Sequence, residues 1–418
     1  MSTTTAVSGR ATRVAPSLPL AIGLAVAPVA GVLQSKALAP IALAALLGCV
    51  VLHRQRQGSW PWPRGTAALV ALALFGWAAV TALWAPRPGL AGFTALQIGG
   101  FVALGAAAVR AVAADDAAAQ MRLLLVASGG LAAGLVLAGL DFATGNAIRA
   151  LVRGLREIPP SLQFGLKPAA SAMALWLPLL AVAPLPRWLR GFGLVGGAAV
   201  LLALPGESAR IAVVAGGVAG LAAWTAPRLV PRALGAALAV AILATPAVLG
   251  PVLAGGVPAA GLPPSAAHRL LIWDFVGDRI AERPWLGWGM EASRNIPGNH
   301  DAPSPAVRER FGLTSPHAES WAPRAELLPL HPHNGPLQLR LELGLPGVLL
   351  AAALAWLLGL AAARSAAPPV ATAMLAAGSV TAMLSFGTWQ EWWVGTELLA
   401  LAAAAALSQP PPARHARI

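Results

Sequence analysis

Long apolar runs recur along the whole chain and alternate with short polar connections. A helix needs about 17–25 predominantly apolar residues to cross the hydrocarbon core of a bilayer, and twelve runs reach or approach that length. They lie at 17–34, 37–53, 66–84, 91–112, 119–140, 168–185, 191–206, 208–226, 233–254, 337–362, 368–388 and 392–408. The pattern therefore predicts an all-α integral membrane protein with about twelve transmembrane helices.

The composition supports a membrane protein and argues against a soluble globule. Of the 418 residues, 57% are hydrophobic and only 11% are charged, whereas soluble domains carry about 25% charged residues. Several runs are rich in alanine and glycine, as in GGLAAGLVLAGL (129–140), and such small side chains allow membrane helices to pack closely. The single cysteine, Cys49, excludes an intramolecular disulfide.

The net charge of +13 indicates an orientation in the membrane rather than a nucleic-acid partner, because most basic residues lie in connections between apolar runs. Lys and Arg favour cytoplasmic loops. With the N-terminus inside, the short outer connections hold only Lys36, Arg87 and Arg210. The cytoplasmic side holds fourteen arginines: Arg10, Arg13, Arg54, Arg56, Arg64, Arg110, Arg122, Arg187, Arg190, Arg228, Arg232, Arg364, Arg414 and Arg417. We expect a retained first span and cytoplasmic termini.

This topology divides the chain into three parts. Residues 1–254 hold nine spans and a basic outer segment at 141–167, and residues 337–418 hold three spans and a cytoplasmic tail. Between them, residues 255–336 form one large outer loop. The loop contains HRLLIWDFVGDRIAERPWLGWG, in which Trp273, Val276 and Ile280 share one face at helical spacing. We expect a helix lying at the membrane surface, then a polar loop that returns to the bilayer.

The stretch HPHNGPLQLRLELGLPG (331–347) places polar residues at the mouth of an apolar run. Pro336 suits the first turn of a helix, so His331, His333 and Asn334 should sit at a helix N-terminus. The positive end of the helix dipole and nearby arginines disfavour an imidazolium, so a histidine there tends to stay neutral and able to accept a proton. Asn334 could orient the ring or bind a substrate hydroxyl.

Other polar residues of this stretch are Gln338 and Glu342, which are four residues apart and share a face of the predicted helix. Two simpler interpretations remain open for the two histidines: a pair of metal ligands, or an interfacial cap without chemistry. The metal interpretation lacks a cluster of cysteines or carboxylates at ligand spacing.

Arginines in the outer segments suggest that an anion is bound there. Arg210 lies in GESAR at an outer helix end, and Arg269 begins the loop helix. The planar guanidinium matches phosphate oxygens, which favours a diphosphate. A second basic group surrounds EIPPSLQFGLKP: Arg149, Arg153, Arg156 and Lys167. The alternative for each is snorkelling to lipid headgroups. The outer tryptophans, including Trp273, Trp288 and Trp389, are typical of an interfacial belt.

The chain resembles the O-antigen ligase and polymerase superfamily in a combination of features. These are the spans, the large outer loop and three motifs, SAR, HRLLIWDFVGDRIAERPWLGWG and HPHNGPLQLRLELGLPG. The motifs cover about 208–347. The resemblance implies a GT-C-type, inverting glycosyltransferase of the bacterial inner membrane that needs no metal or nucleotide. Its donor is a glycan on undecaprenyl diphosphate, and its acceptor in the ligase branch is lipid A–core, at the periplasmic face. By motif, His333 matches the catalytic histidine, with His331 a second candidate, and Arg210 and Arg269 match diphosphate-binding arginines.

Three other functions stay open at this point. An O-antigen or capsule polymerase would use the same donor with a second lipid-linked glycan as acceptor, and a protein O-glycosylating ligase would use a Ser or Thr. A flippase or exporter of lipid-linked glycans would only carry cargo, and would be expected to hold charged residues well inside its spans. Here the polar residues gather at one face, which favours a one-sided enzyme.

Overall fold

The computed structural model describes residues 14–407, and all regular structure in them is helical. The helices are α1 Leu18–Leu33, α2 Leu38–Gln57, α3 Thr66–Val80, α4 Pro88–Ala113, α5 Ala117–Ala143, α6 Ala147–Val152, α7 Leu166–Trp176, α8 Arg187–Ala203, α9 Glu207–Thr225, α10 Leu229–Ala254, α11 Pro264–Glu282, α12 Pro305–Arg310, α13 Pro316–Glu319, α14 Gly335–Arg364, α15 Pro368–Leu384 and α16 Glu391–Ala404. The predicted cytoplasmic tail and the basic residues Arg10, Arg13, Arg414 and Arg417 lie outside the described residues. The all-α prediction is confirmed for the part described.

A helix occupies each of the twelve predicted spans. Eight helical segments between residues 14 and 407 are long and apolar enough to cross a membrane, when α2, α3 and α7 are counted with the 3₁₀ turns that extend them. The other four, α1, α8, α15 and α16, have 16, 17, 17 and 14 residues. The protein is therefore a multi-pass membrane protein by length and hydropathy, while the count of twelve crossings stays a prediction.

Small residues bring the helices together, as the alanine- and glycine-rich runs predict. The clearest case is the crossing of α10 and α14, where Gly235 and Gly359 face each other. A Cβ on Gly359 would lie 2.6 Å from the Cα of Gly235 and 2.6 Å from the carbonyl oxygen of Pro231. Backbone-to-backbone packing at this distance leaves no room for any side chain.

The segment 255–336 folds around α11, the helix predicted from its apolar face. Val276 is buried, and Trp273 and Ile280 pack against it in an apolar cluster with Phe275 and Ile296. That cluster also contains Leu337 and Leu341 of α14, so the loop rests on the first part of α14. A second cluster on α11 joins Leu271 to Phe311 and to Leu253 of α10. The loop is thus a packed unit attached to two long helices.

Helix α14 is broken at Gly344, whose backbone is not helical (φ 64°, ψ −157°). Pro346 follows and has no N–H to donate, so the carbonyl of Glu342 loses its partner. Three carbonyls before the break find other donors: Leu341 accepts from Trp288 N at 2.8 Å, Glu342 from Gly289 N at 2.8 Å, and Leu343 from the Trp77 indole at 2.8 Å.

The stretch PWLGWG (284–289) closes this break from the other side. Leu345 N donates to Trp285 O at 2.9 Å, so donors and acceptors of α14 and the loop are paired on both sides of Gly344. Gly287 has φ 70° and lies against the Glu342 carbonyl, where an added Cβ would lie 2.7 Å from the oxygen. Glycine is needed at both positions because the conformations are left-handed and the two backbones touch.

We predict that Gly344→Ala destabilises the protein strongly. A Cβ would lie 2.7 Å from the Gly287 nitrogen, and the backbone conformation is one that only glycine adopts freely. The expected cost is about 2 kcal/mol or more, measured as a lower unfolding temperature in detergent. Gly129→Ala in α5 is the matched control, because no atom lies within 4 Å of its added Cβ. Equal unfolding temperatures for the two variants would contradict the account of the break.

Candidate functional site

The turn His331–Asn334 lies where the loop returns to α14, and contacts with α14 and α11 hold it. Asn334 is the N-cap of α14, and its side-chain oxygen accepts a hydrogen bond from Leu337 N at 3.0 Å. Pro336 lies in the first turn, as predicted. The Trp273 indole of α11 donates to the Pro332 carbonyl at 2.8 Å. The side-chain oxygen of Asn334 therefore caps the helix, and the predicted role of Asn334 in orienting the ring or binding a hydroxyl stays a prediction.

His333 is half-buried and is held through Nδ1. This nitrogen lies 2.6 Å from the backbone carbonyl oxygen of Ser385, just after α15. Because a carbonyl oxygen only accepts hydrogen bonds, Nδ1 must carry the proton. In a neutral imidazole the other nitrogen, Nε2, is then unprotonated and can accept one. The geometry selects the tautomer that a general base needs.

The surroundings keep both histidines neutral. Burial first, and then the charges of His333, Arg294 and Arg269, lower the pKa of His331 to about 3. The pKa of His333 is also lowered, first by burial and then by Arg269 and His268, while the Ser385 carbonyl opposes the shift. A base of lowered pKa stays unprotonated to a more acidic pH than free histidine, for which the pKa is about 6.5.

Ser385 connects His333 to the N-terminus of α9. Its hydroxyl accepts a hydrogen bond from Ser208 Oγ at 3.1 Å, so the SAR and HPHN motifs meet at one residue. Arg210 lies on the same first turns of α9 and pairs with the exposed Glu207 at 3.0 Å. Exposed pairs of this kind contribute about 0–1 kcal/mol, so Arg210 can exchange Glu207 for a stronger anion.

Arg269 and a residue that the sequence analysis did not select, Arg294, provide the positive charge around the histidines. Arg269 is half-buried, and burial alone lowers its pKa. Within residues 14–407 it has no carboxylate partner. Arg294 pairs with Glu291 at 3.0 Å and lines a small cavity with Glu291, His331, Gln338 and Gln390.

Glu342 is fully buried, and its carboxylate joins three segments. It accepts hydrogen bonds from Glu291 N at 2.8 Å, from Ser293 N at 3.3 Å and from the Ser293 hydroxyl. The Trp389 indole donates at 2.6 Å and Gln338 Nε2 at 3.2 Å. Hydrogen bonds to a carboxylate are stronger than those between neutral groups, so these donors hold their segments firmly against Glu342. Glu342 therefore organises the site.

Gln338, which lies four residues before Glu342 on the same face of α14, takes part in the same network. Its carbonyl oxygen accepts from Thr388 N at 2.9 Å, while its amide donates to Glu342. Through these bonds the two residues fix the segment 385–390, which carries the carbonyl that holds His333. Trp389 is buried in this network, and Trp273 and Trp288 donate to backbone carbonyls, so these three are structural contacts as well as aromatic belt candidates.

The basic residues of 141–167 are divided between structure and surface. Arg149 is completely buried, with an ion pair to Asp141 at 2.6 Å and a hydrogen bond to the Leu162 carbonyl at 2.8 Å. Its guanidinium is therefore fully used by protein partners and is not free to bind a substrate. Arg153 is exposed and donates to the Leu33 carbonyl at 2.9 Å. Arg156 is exposed, and neither Arg153 nor Arg156 contacts the histidine turn.

Two residues of the site, Ser385 and Arg294, escaped the sequence analysis. The stretch SFGTWQE (385–391), which holds polar residues between two apolar runs, could have indicated Ser385. A polar connection between two membrane helices is a place where a site can form. Between residues 14 and 407, no three His, Cys, Asp or Glu side chains cluster as metal ligands, and the metal-free chemistry implied by the resemblance stays a prediction.

Part of the chain is similar in sequence to known proteins. Residues 192–352 match the family model described as O-Antigen ligase, a range that contains α9, α11 and the histidine turn. A protein of Rickettsia conorii named "Putative polysaccharide ligase" is 33% identical over 152 residues, which is 35% of this chain and 33% of that protein. A protein of the same name from Rickettsia bellii is 32% identical over 173 residues, 38% of each chain.

The matched segments span about a third of the length of these curated relatives. No solved structure matches the chain with statistical significance. The fold and the matched range together define the class: a multi-pass helical membrane protein with an O-antigen ligase domain, which contains the histidine turn and the arginines Arg210, Arg269 and Arg294. The matched range and the names of these relatives support the O-antigen ligase superfamily, in its ligase branch.

We predict that Glu342→Gln lowers stability, because one carboxylate oxygen becomes an NH₂ group that faces N–H and O–H donors. Leaving buried donors unpaired costs about 1–3 kcal/mol. The measurement is the unfolding temperature in detergent micelles. Glu309→Gln, at an exposed position of α12, removes the same charge without touching the network and should be neutral. Equal stability of both variants would mean that the carboxylate does not join the segments.

Proposed function

We propose that this protein is a glycosyltransferase that moves a glycan from undecaprenyl diphosphate to lipid A–core, with inversion at the anomeric carbon. The observation that carries the proposal is the tautomer of His333. A histidine with Nδ1–H bound to a carbonyl and an unprotonated Nε2 is a preorganised base. The charge of Arg269, which has no carboxylate partner among residues 14–407, acts on this histidine. The family of the chain supports the choice of a glycan as substrate.

The reaction that we propose uses these groups in one displacement. Nε2 of His333 takes the proton of an acceptor hydroxyl as its oxygen attacks the anomeric carbon of the donor sugar. The new bond joins that oxygen to the carbon. The bond between the carbon and the diphosphate oxygen breaks on the opposite face, and undecaprenyl diphosphate leaves with the electron pair.

Arginines stabilise the charge that grows on the leaving group. Arg269 is the first candidate, because it is half-buried, its charge acts on both histidines, and it has no carboxylate partner in the described part of the chain, 14–407. Arg210 is the second, because its helix begins at the Ser208–Ser385 contact. Arg153 and Arg156 would contribute from the surface of 141–167, further from the histidines. In this mechanism no metal ion is required to hold the diphosphate.

The identity of the acceptor distinguishes the proposed ligase from the polymerase and the protein O-glycosylating ligase. Deletion of the gene in its host should remove long chains from lipid A–core while lipid-linked polymer accumulates. A product carrying a single repeat unit would instead identify a polymerase. Unchanged lipopolysaccharide with loss of glycan from proteins would identify a protein O-glycosylating ligase.

We predict that residues 255–336 face the periplasm of a bacterial inner membrane. An Ala302→Cys variant should react with a membrane-impermeant maleimide in intact spheroplasts, because Ala302 is exposed and the native Cys49 is buried. Ala114→Cys, exposed between α4 and α5, is the matched control and should react only after lysis. The reverse pattern would place the histidine site in the cytoplasm and overturn the proposed donor.

We predict that His333→Ala and the arginine variants fail in different ways. His333→Ala should lower kcat by roughly 10²–10⁴-fold, the contribution of a general base, with donor binding nearly unchanged. Arg269→Ala and Arg210→Ala should weaken donor binding as well as turnover. Arg→Lys should restore little, because lysine lacks the planar fork. Donor affinity and transfer rate are measured for each variant in nanodiscs.

Arg324→Ala provides the control for this series, since it removes an exposed guanidinium from the same loop and should leave both quantities unchanged. All variants are first compared by unfolding temperature. Transfer at the wild-type rate by a folded His333→Ala protein would show that His333 is not the base.

A further inference from the structure

His333 has a backbone conformation that requires support. Its φ is 53°, and only two other non-glycine residues between 14 and 407, Asn146 and Glu291, have positive φ. A left-handed backbone is unfavourable for a residue with a Cβ, so neighbouring groups must hold it. The carbonyl of Ser385 holds the ring of His333 but not its backbone.

His331 supplies the backbone contact. Its Nδ1 accepts a hydrogen bond from His333 N at 3.2 Å, which closes a turn from a side chain to the amide two residues on. The two rings lie 4.2 Å apart between centroids, tilted by 58°. Since Nδ1 of His331 acts as acceptor, the neutral ring carries its proton on Nε2. The two histidines therefore adopt opposite tautomers.

The turn leaves His331 little freedom to do anything else. It is buried, and Gly387 lies against its ring, where an added Cβ would be 3.1 Å from Cγ and Cδ2. The residue between the histidines, Pro332, is held by the Trp273 indole. A proton on Nδ1 would replace the acceptor with a second donor and break the turn.

We infer that His331 is a positioning residue, which holds the left-handed backbone of His333 and thereby presents Nε2 of His333 to the acceptor. This inference rests on the proposed function, because it assigns His333 as the base. It also separates the roles of two residues that the motif alone leaves interchangeable.

Substitutions of His331 can distinguish the roles of its two ring nitrogens, Nδ1 and Nε2. Asparagine places an oxygen near the position of Nδ1 and is the residue that most readily bonds to a backbone amide two residues on. Glutamine places its polar end near Nε2 and misses that amide. We expect His331→Asn to keep kcat within about 3-fold of wild type, and His331→Gln and His331→Ala to lose roughly 10-fold or more.

A second variant approaches the same ring from outside. Gly387→Ala should displace the His331 ring, because 3.1 Å is too short for an ordinary carbon–carbon contact, and should resemble His331→Ala in kcat with unchanged donor affinity. Gly100→Ala, where an added Cβ meets nothing within 4 Å, is its control.

An NMR measurement tests the inference without any transfer assay. The chain has 7 histidines, so ¹³C,¹⁵N-histidine labelling gives few ring signals, and the signal lost in His333→Gln identifies His333. The Nδ1–H signature of His333 should persist in His331→Asn and weaken in His331→Ala. If wild-type protein transfers no glycan while this pattern holds, the proposed function fails and the positioning role stands.

Three outcomes would overturn the inference. If His331→Asn loses as much activity as His331→Ala, the ring itself acts in the chemistry. If His331→Gln is active and His331→Asn is not, Nε2–H of His331 binds substrate. If all three variants transfer at the wild-type rate, the backbone of His333 needs no support from His331.

Discussion

The break in α14 is the constraint on which the rest of the site depends. Gly344 and Pro346 interrupt the helix, and buried carbonyls cannot be left without donors inside a membrane protein. The donors come from Trp288 and Gly289 of the loop and from Trp77 of α3. The loop is therefore bonded into the helix bundle at the backbone level. This attachment fixes where α14 begins, and the histidine turn stands at that beginning.

The buried Glu342 carboxylate extends the same constraint to the side chains. Its donors come from the segment 291–293, from α14 itself and from Trp389. The segment after α15 is thereby held against α14, and that segment carries the Ser385 carbonyl that selects the tautomer of His333. The Glu342 carboxylate thus acts on His333 through the backbone of this segment. Buried charges are retained where they are fully bonded, and here the bonded partners are the walls of the site.

The sequence predicted the elements well and the contacts only in part. Apolar length predicted helices, the spacing of Trp273, Val276 and Ile280 predicted α11, and Pro336 predicted the start of α14, because each of these depends on local periodicity. The approach of Ser385 to His333 joins residues 52 positions apart, and no local pattern encodes it. The burial of Arg149 depends on Asp141 across a turn, which made this arginine look available. The hydrogen bond that His331 Nδ1 accepts from His333 N depends on the positive φ of His333, which the motif HPHN does not reveal.

In the proposed mechanism, one set of charges serves both the leaving group and the base. Burial first, and then Arg269 among other charges, lower the pKa of both histidines in the free protein, which keeps His333 unprotonated. A bound diphosphate brings negative charge to the same arginine and offsets its effect, so the pKa of His333 rises when donor is present. The base is then weakest in the empty site, where nothing is to be deprotonated. It becomes strongest in the loaded site, where the imidazolium formed by proton transfer is stabilised by the diphosphate as the leaving group gains charge.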